Sequence, residues 1–101
     1  MQIIGLQCHE KDNVAVIFAE QVKAGMAVTV KNKKGMETEV LLNDDVPFGH
    51  KVAIRHIGIG EPVIKYGEEI GVATEDISTG DYVHVHNLDS QRARGDLEKG
   101  E

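Results

Sequence analysis

A chain of 101 residues with 41% hydrophobic and 28% charged residues suits one small soluble globular domain rather than a disordered chain. The core such a chain can bury is modest, so a partner subunit or a homo-oligomer is expected. A formal net charge of −6 leaves no basic stripe to neutralise phosphates, which argues against nucleic-acid and anionic-membrane binding.

Eleven glycines, two prolines and an excess of Val and Ile over Leu point to short strands joined by tight turns. No apolar run reaches the length of a membrane span, and Met1–Gly5 lacks the basic and long apolar regions of a signal peptide. With one cysteine, Cys8, there is no internal disulfide to form, and cytoplasm is the expected address.

In chain order, Gln2–Gln7 reads as a first strand. Lys11-Asp12-Asn13 is turn chemistry ahead of an apolar strand at Val14–Phe18. Ala19–Ala24 reads as a loop or one helical turn. Met26–Lys31 and Met36–Leu42 form a hairpin across Asn32-Lys33-Lys34-Gly35. Asn43-Asp44-Asp45 breaks the second of these strands, and Pro47 holds Val46 extended.

Lys51–Ile57 alternates Lys51, Ala53 and Arg55 with Val52, Ile54 and His56, the pattern of a half-buried strand. Val63–Tyr66 and Gly67–Val72 add two short strands. The stretch Ile77–Asn87 ends in a strand that places Tyr82, His84 and His86 on one face and Val83 and Val85 on the other. An apolar-x-x-Gly-x-x-apolar-x-apolar pattern recurs at Val22–Val30, Val46–Ile54, Ile64–Val72 and Ile77–Val85, with Gly25, Gly49, Gly67 and Gly80 at the hinges. No segment carries a convincing 3.6-residue period, so the fold is expected to be mostly β. The domain is expected to cover 1–88, with 89–101 a polar tail available for docking on a partner.

His84 and His86 are the sharpest functional candidates, because two imidazoles on one strand face stand roughly 6–7 Å apart and suit metal ligation or acid–base work. They form a polar cluster with the Tyr82 hydroxyl and the Asn87 amide. A complete metal site is not expected in this chain, since three or four ligands are needed. The others would have to come from His9, His50, His56 or distant carboxylates. His50 and Lys51, after the Pro47–Gly49 turn, form a corner able to contact an anion.

Asp12, Asn13 and Asn87, with Arg92 and Arg94 in the tail, complete the set of candidate substrate contacts. Cys8 and His9 point to opposite faces of a strand and make no nucleophile pair. No phosphate-loop, dinucleotide or G-x-S-x-G signature occurs, so spacing alone does not identify an enzyme.

Four segments together carry a resemblance: Asp12-Asn-Val-Ala-Val16, Val46-Pro-Phe-Gly-His-Lys-Val-Ala53, Ile64-Lys-Tyr-Gly-Glu-Glu-Ile-Gly71 and Gly80-Asp-Tyr-Val-His-Val-His-Asn-Leu88. From about His9 to Asp96 the chain resembles the small SAF domain of the altronate dehydratase family, which includes galactarate and sulfolactate dehydratases. It departs at Ala93, where members often carry Gly between the two arginines.

The resemblance implies a β-clip of short twisted strands. It also implies dehydration of a sugar acid or 2-hydroxy acid to a 2-keto acid by a metal-dependent hydro-lyase. The divalent metal, expected to be iron, and most of the machinery belong to a large catalytic domain, so this chain is expected to act as a separate small subunit or N-terminal module, inactive alone. His84, His86 and His50 would then face the partner's cleft as catalytic groups, with Lys51 and Arg92 holding carboxylates. The alternative is a non-catalytic carbohydrate- or carboxylate-binding module, or an oligomerisation module.

Overall fold

The computed structural model describes residues 3–90. Within them the chain forms β1 (Ile4–Leu6), β2 (Val14–Ile17), β3 (Ala27–Lys31), β4 (Glu37–Leu41), β5 (Lys51–Ala53), β6 (Pro62–Lys65), β7 (Glu68–Ala73), β8 (Tyr82–Val83) and β9 (Leu88–Asp89). A six-stranded sheet runs β4-β3-β1-β2-β5-β8, antiparallel except where β1 lies parallel to β3; a second antiparallel sheet runs β6-β7-β9. The expected mostly-β clip is the architecture observed. Among the described residues no helix is long and apolar enough to cross a membrane.

The strands are buried on both faces where the two sheets meet. β2 pairs with β5 so that Ala15 faces Val52 and Val14 faces Ala53. Ala15 and Val52 join a core with Ile17, Val28 and Leu42, while Val14 and Ala53 join another with Ile57, Val63, Ile77 and Val83. All four residues of β2 are therefore buried, which explains its unbroken apolar sequence.

Four tight turns fix the corners. The N–H of Met26, His50, Glu61 and Asp81 each donates to the carbonyl three residues back, on Lys23, Pro47, Gly58 and Ser78. The third residue of every turn is a glycine with φ between 81° and 96°, as a type II turn requires. The turns interlock in pairs. Gly25 N–H reaches Leu42 while Gly49 N–H reaches Ile17, around the Val22–Val46 bridge; Gly60 N–H reaches Ala73 while Gly80 N–H reaches Ala53, around the Ile57–Ile77 bridge. Each half of the domain thus repeats one device.

Three of the four repeats expected from the sequence are these turns. The one placed at Gly67 is instead a two-residue hairpin between β6 and β7, with positive φ at both Tyr66 and Gly67. The fourth interlocking turn is Gly58-Ile59-Gly60-Glu61.

Two expected strands are shorter than the alternation suggested. Lys51–Ile57 stops at Ala53: the Ile54 N–H makes a last bond in register with β2, to Asn13 O, and the chain then bends at Ile54 and Arg55. The closing strand stops at Val83, so His84 and His86 do not share a strand face, and Val85 is 79% exposed rather than packed. Asn87 causes this. Its side chain accepts from His84 N–H (3.0 Å) and donates to Tyr82 O (2.9 Å), and its own N–H donates to His84 O. The amide takes the place of a neighbouring strand and curls 84–87 into a turn. β9 then continues through Asp89, past the boundary expected at Leu88.

Candidate functional site

The turn places the histidines beside a third one. The β5–β8 register, Val52 opposite Tyr82 and Lys51 opposite Val83, brings His50 across from His84. Their ring centroids lie 4.9 Å apart. Tyr82 is the hub. Its hydroxyl meets His50 Nδ1 at 2.7 Å, its ring stacks on His84 at 5.6 Å with an 8° tilt, and His86 leans against it at 5.5 Å. His50, Tyr82 and His84 are half-buried and His86 is exposed.

The cluster is held from the backbone outward. The Tyr82 N–H donates to Asp44 Oδ2 (3.0 Å), and its carbonyl accepts from Asn87. Asn43 Nδ2 reaches Thr79 O and Asp81 Oδ1 (2.9 Å), fastening the chain just before Tyr82. The His50 carbonyl accepts from Ile17 N–H (2.9 Å). On its other side Tyr82 walls a recess of about 270 Å³ with Gln21, Val22, Lys23, Asp45, Val46 and Pro47. A separate recess of about 320 Å³, by His9, Lys33 and Met36, shares no residue with the rings.

Desolvation, then the neighbouring His50, Lys51 and His86, push His84 below the ordinary histidine range. Burial, then the nearby Lys65, lower the Lys51 ammonium from its ordinary value. His84 is thus kept neutral beside cationic groups, a setting that favours an arriving carboxylate. Lys51→Met removes one of these charges and is expected to raise the His84 midpoint towards 6.5, read by NMR titration of its ring protons. As pH falls below 6.5 the unfolded chain takes up the proton first, so acidification through the window down to the lowered midpoint destabilises the fold.

Other sequence candidates lie elsewhere. Asp12 is fully buried and accepts from His9 N–H (3.1 Å) and Gly67 N–H (2.8 Å), so it braces the β6–β7 hairpin and is not open to substrate. Asn13 pairs both its amide atoms with β6, to Ile64 N–H and Pro62 O. Asn87, 4% exposed, is the turn-former described above. These three expected substrate contacts are parts of the scaffold. Arg92 and Arg94 lie outside the described residues.

Residues 3–91 match the family model described as the altronate/galactarate dehydratase SAF domain. The chain belongs to this family.

The SAF domain is 39% identical over 88 residues to the alpha subunit of (2R)-sulfolactate sulfo-lyase from Chromohalobacter salexigens, covering 83% of this chain and 92% of that one. It is 44% identical over 82 residues to altronate dehydratase from Escherichia coli K12, covering 81% of this chain but 15% of that enzyme. Galactarate dehydratase from the same organism matches at 33%, again over a small share of its length, 14%.

The SAF domain's own donors do not fit a complete metal centre: among the described residues no group of three or more His, Cys, Asp or Glu is placed to hold an ion. Tyr82 touches both His84 and His86. Sequence reasoning noted Tyr82 as a neighbour of the histidines and missed it as their hub. It also missed Asp44, 38 residues away, for which no local signal exists.

Proposed function

We propose that this SAF domain is the small subunit of a two-component cytoplasmic lyase that eliminates a β-substituent from a sugar acid or 2-hydroxy acid to give a 2-keto acid. The observation that carries the reading is the convergence of His50, Tyr82, His84 and His86 on one accessible rim. Such a rim suits a pocket finished by a second, larger polypeptide, which would hold the divalent metal, iron being the expected one. The match over 92% of a protein named as an alpha subunit supports the separate-chain format, and the partial matches to dehydratases support the chemistry.

The Lys51 ammonium and the hydrogen-bonding imidazoles beside it offer a rim suited to the substrate carboxylate, in contrast to the net charge of −6 of the whole chain. The test is to assay 2-keto acid formation from aldonates, aldarates and sulfolactate by this chain, by a large catalytic lyase subunit supplied as its partner, and by the two together. Turnover is expected only from the pair. Equal turnover by the large subunit without this chain would overturn the reading.

A further inference from the structure

Resting on the lyase reading, we infer that Tyr82 and His50 together are the acid that protonates the leaving group and that His84 is the base that takes the α-proton, which fits a substrate whose β-substituent is a hydroxyl. The Tyr82 hydroxyl and His50 Nδ1 are joined at 2.7 Å, a short bond along which a proton can pass. Both partners are fixed by their backbones, Tyr82 through Asp44 and Asn87 and His50 through Ile17 and Pro47, so the pair is assembled before any ligand arrives. His84 stands 4.9 Å from His50 and stacks on Tyr82. An acid and a base at that separation can each reach, through one hydrogen-bond arm of about 3 Å, the β-oxygen and the α-proton of adjacent carbons. Desolvation, then the neighbouring His50, Lys51 and His86, favour the neutral form of His84, which suits it to accept a proton.

The step balances as follows. His84 takes the proton on Cα, and the C–H electron pair becomes the Cα–Cβ double bond. The Cβ–O bond breaks with its pair on oxygen, which takes the Tyr82 hydroxyl proton and departs as water. Tyr82 recovers a proton from His50 Nδ1–H, so an imidazolium becomes a neutral imidazole while His84 becomes an imidazolium. The enol then tautomerises to the 2-keto acid, taking a proton at Cβ and losing one from oxygen, and solvent resets both histidines. Hydroxide needs this proton to leave; sulfite or chloride does not.

The test uses the complex with the large subunit and two substrates, a β-hydroxy sugar acid and its β-chloro analogue. Tyr82→Phe keeps the ring and its packing. It is expected to lower kcat by about 100-fold or more on the hydroxy acid and by less than about tenfold on the chloro acid. His50→Gln should follow the same pattern, and the double variant should be no slower than Tyr82→Phe alone. His84→Ala should slow both substrates alike, because the α-proton is removed in each.

A Tyr82→Phe loss that is equal on the two substrates, or no loss at all, overturns the acid assignment while leaving the lyase reading standing. A large subunit that turns over both substrates without this chain overturns both.

Discussion

Gly80→Ala is expected to lower the melting temperature by roughly 15–30 °C, enough to leave much of the domain unfolded under ordinary assay conditions. Gly80 has φ of 96°, and a Cβ there would stand 2.2 Å from the Leu41 carbonyl oxygen. That oxygen is backbone and belongs to β4, so it does not step aside as a flexible side chain would. Neighbouring bonds hold the site closed: Gly80 N–H donates to Ala53 O and Gly80 O accepts from Asn43 N–H.

The left-handed backbone costs a Cβ-bearing residue about 1–2 kcal/mol. The clash adds about 1–3 kcal/mol of the kind seen when a tight core is overpacked. The sum is a large share of the roughly 5–15 kcal/mol that holds a small domain together. Gly49→Ala separates the two contributions. Its φ is 81°, yet nothing lies within 4 Å of the added carbon, so a loss of about 1 kcal/mol is expected. Thermal unfolding followed by circular dichroism compares the pair, and equal melting temperatures would refute the account of the interlocked turns.

Much of the fold was legible because its cues are local. Apolar content marked β2, and the Asn-Lys-Lys-Gly turn marked the β3–β4 hairpin. Glycine hinges marked three of the four interlocked turns. What escaped depends on contacts between distant segments. The turn at Gly58–Gly60 reads as a loop until the Ile57–Ile77 bridge supplies its partner. Tyr82–His86 alternates as a strand would, but Asn87 outcompetes the neighbouring strand for its backbone groups and curls it.

Asp12 reads as turn chemistry. Its burial follows from Gly67, 55 residues on, whose N–H it must satisfy. At the site, His50, His84 and His86 were each visible as candidates, whereas their convergence follows from the β5–β8 register, which no local pattern encodes. The resemblance to the SAF family supplied the expected chemistry, and the family match bears out that membership. The site residues rest on geometry alone.

Removing an imidazole from the cluster is the second change with a large expected effect, this time on catalysis. His84 lies over the Tyr82 ring and across from His50, and His86 leans on Tyr82 from the exposed side. Neither supplies a side chain to the two buried cores, so truncation should remove function without removing the fold. Positioned acid–base groups are worth about 10²–10⁴ in rate, and the larger loss is expected at His84. His56 is the control: its exposed ring meets Asp76, at 4.0 Å, and it stands apart from the cluster.

The decisive measurement is kcat for 2-keto acid formation by the reconstituted two-subunit enzyme carrying His84→Ala, His86→Ala or His56→Ala, with the melting temperature of each small subunit recorded alongside. A fall of about 100-fold or more for His84→Ala, a smaller fall for His86→Ala, unchanged turnover for His56→Ala and melting temperatures within about 4 °C of one another are predicted. Wild-type turnover in both His84→Ala and His86→Ala would contradict the account.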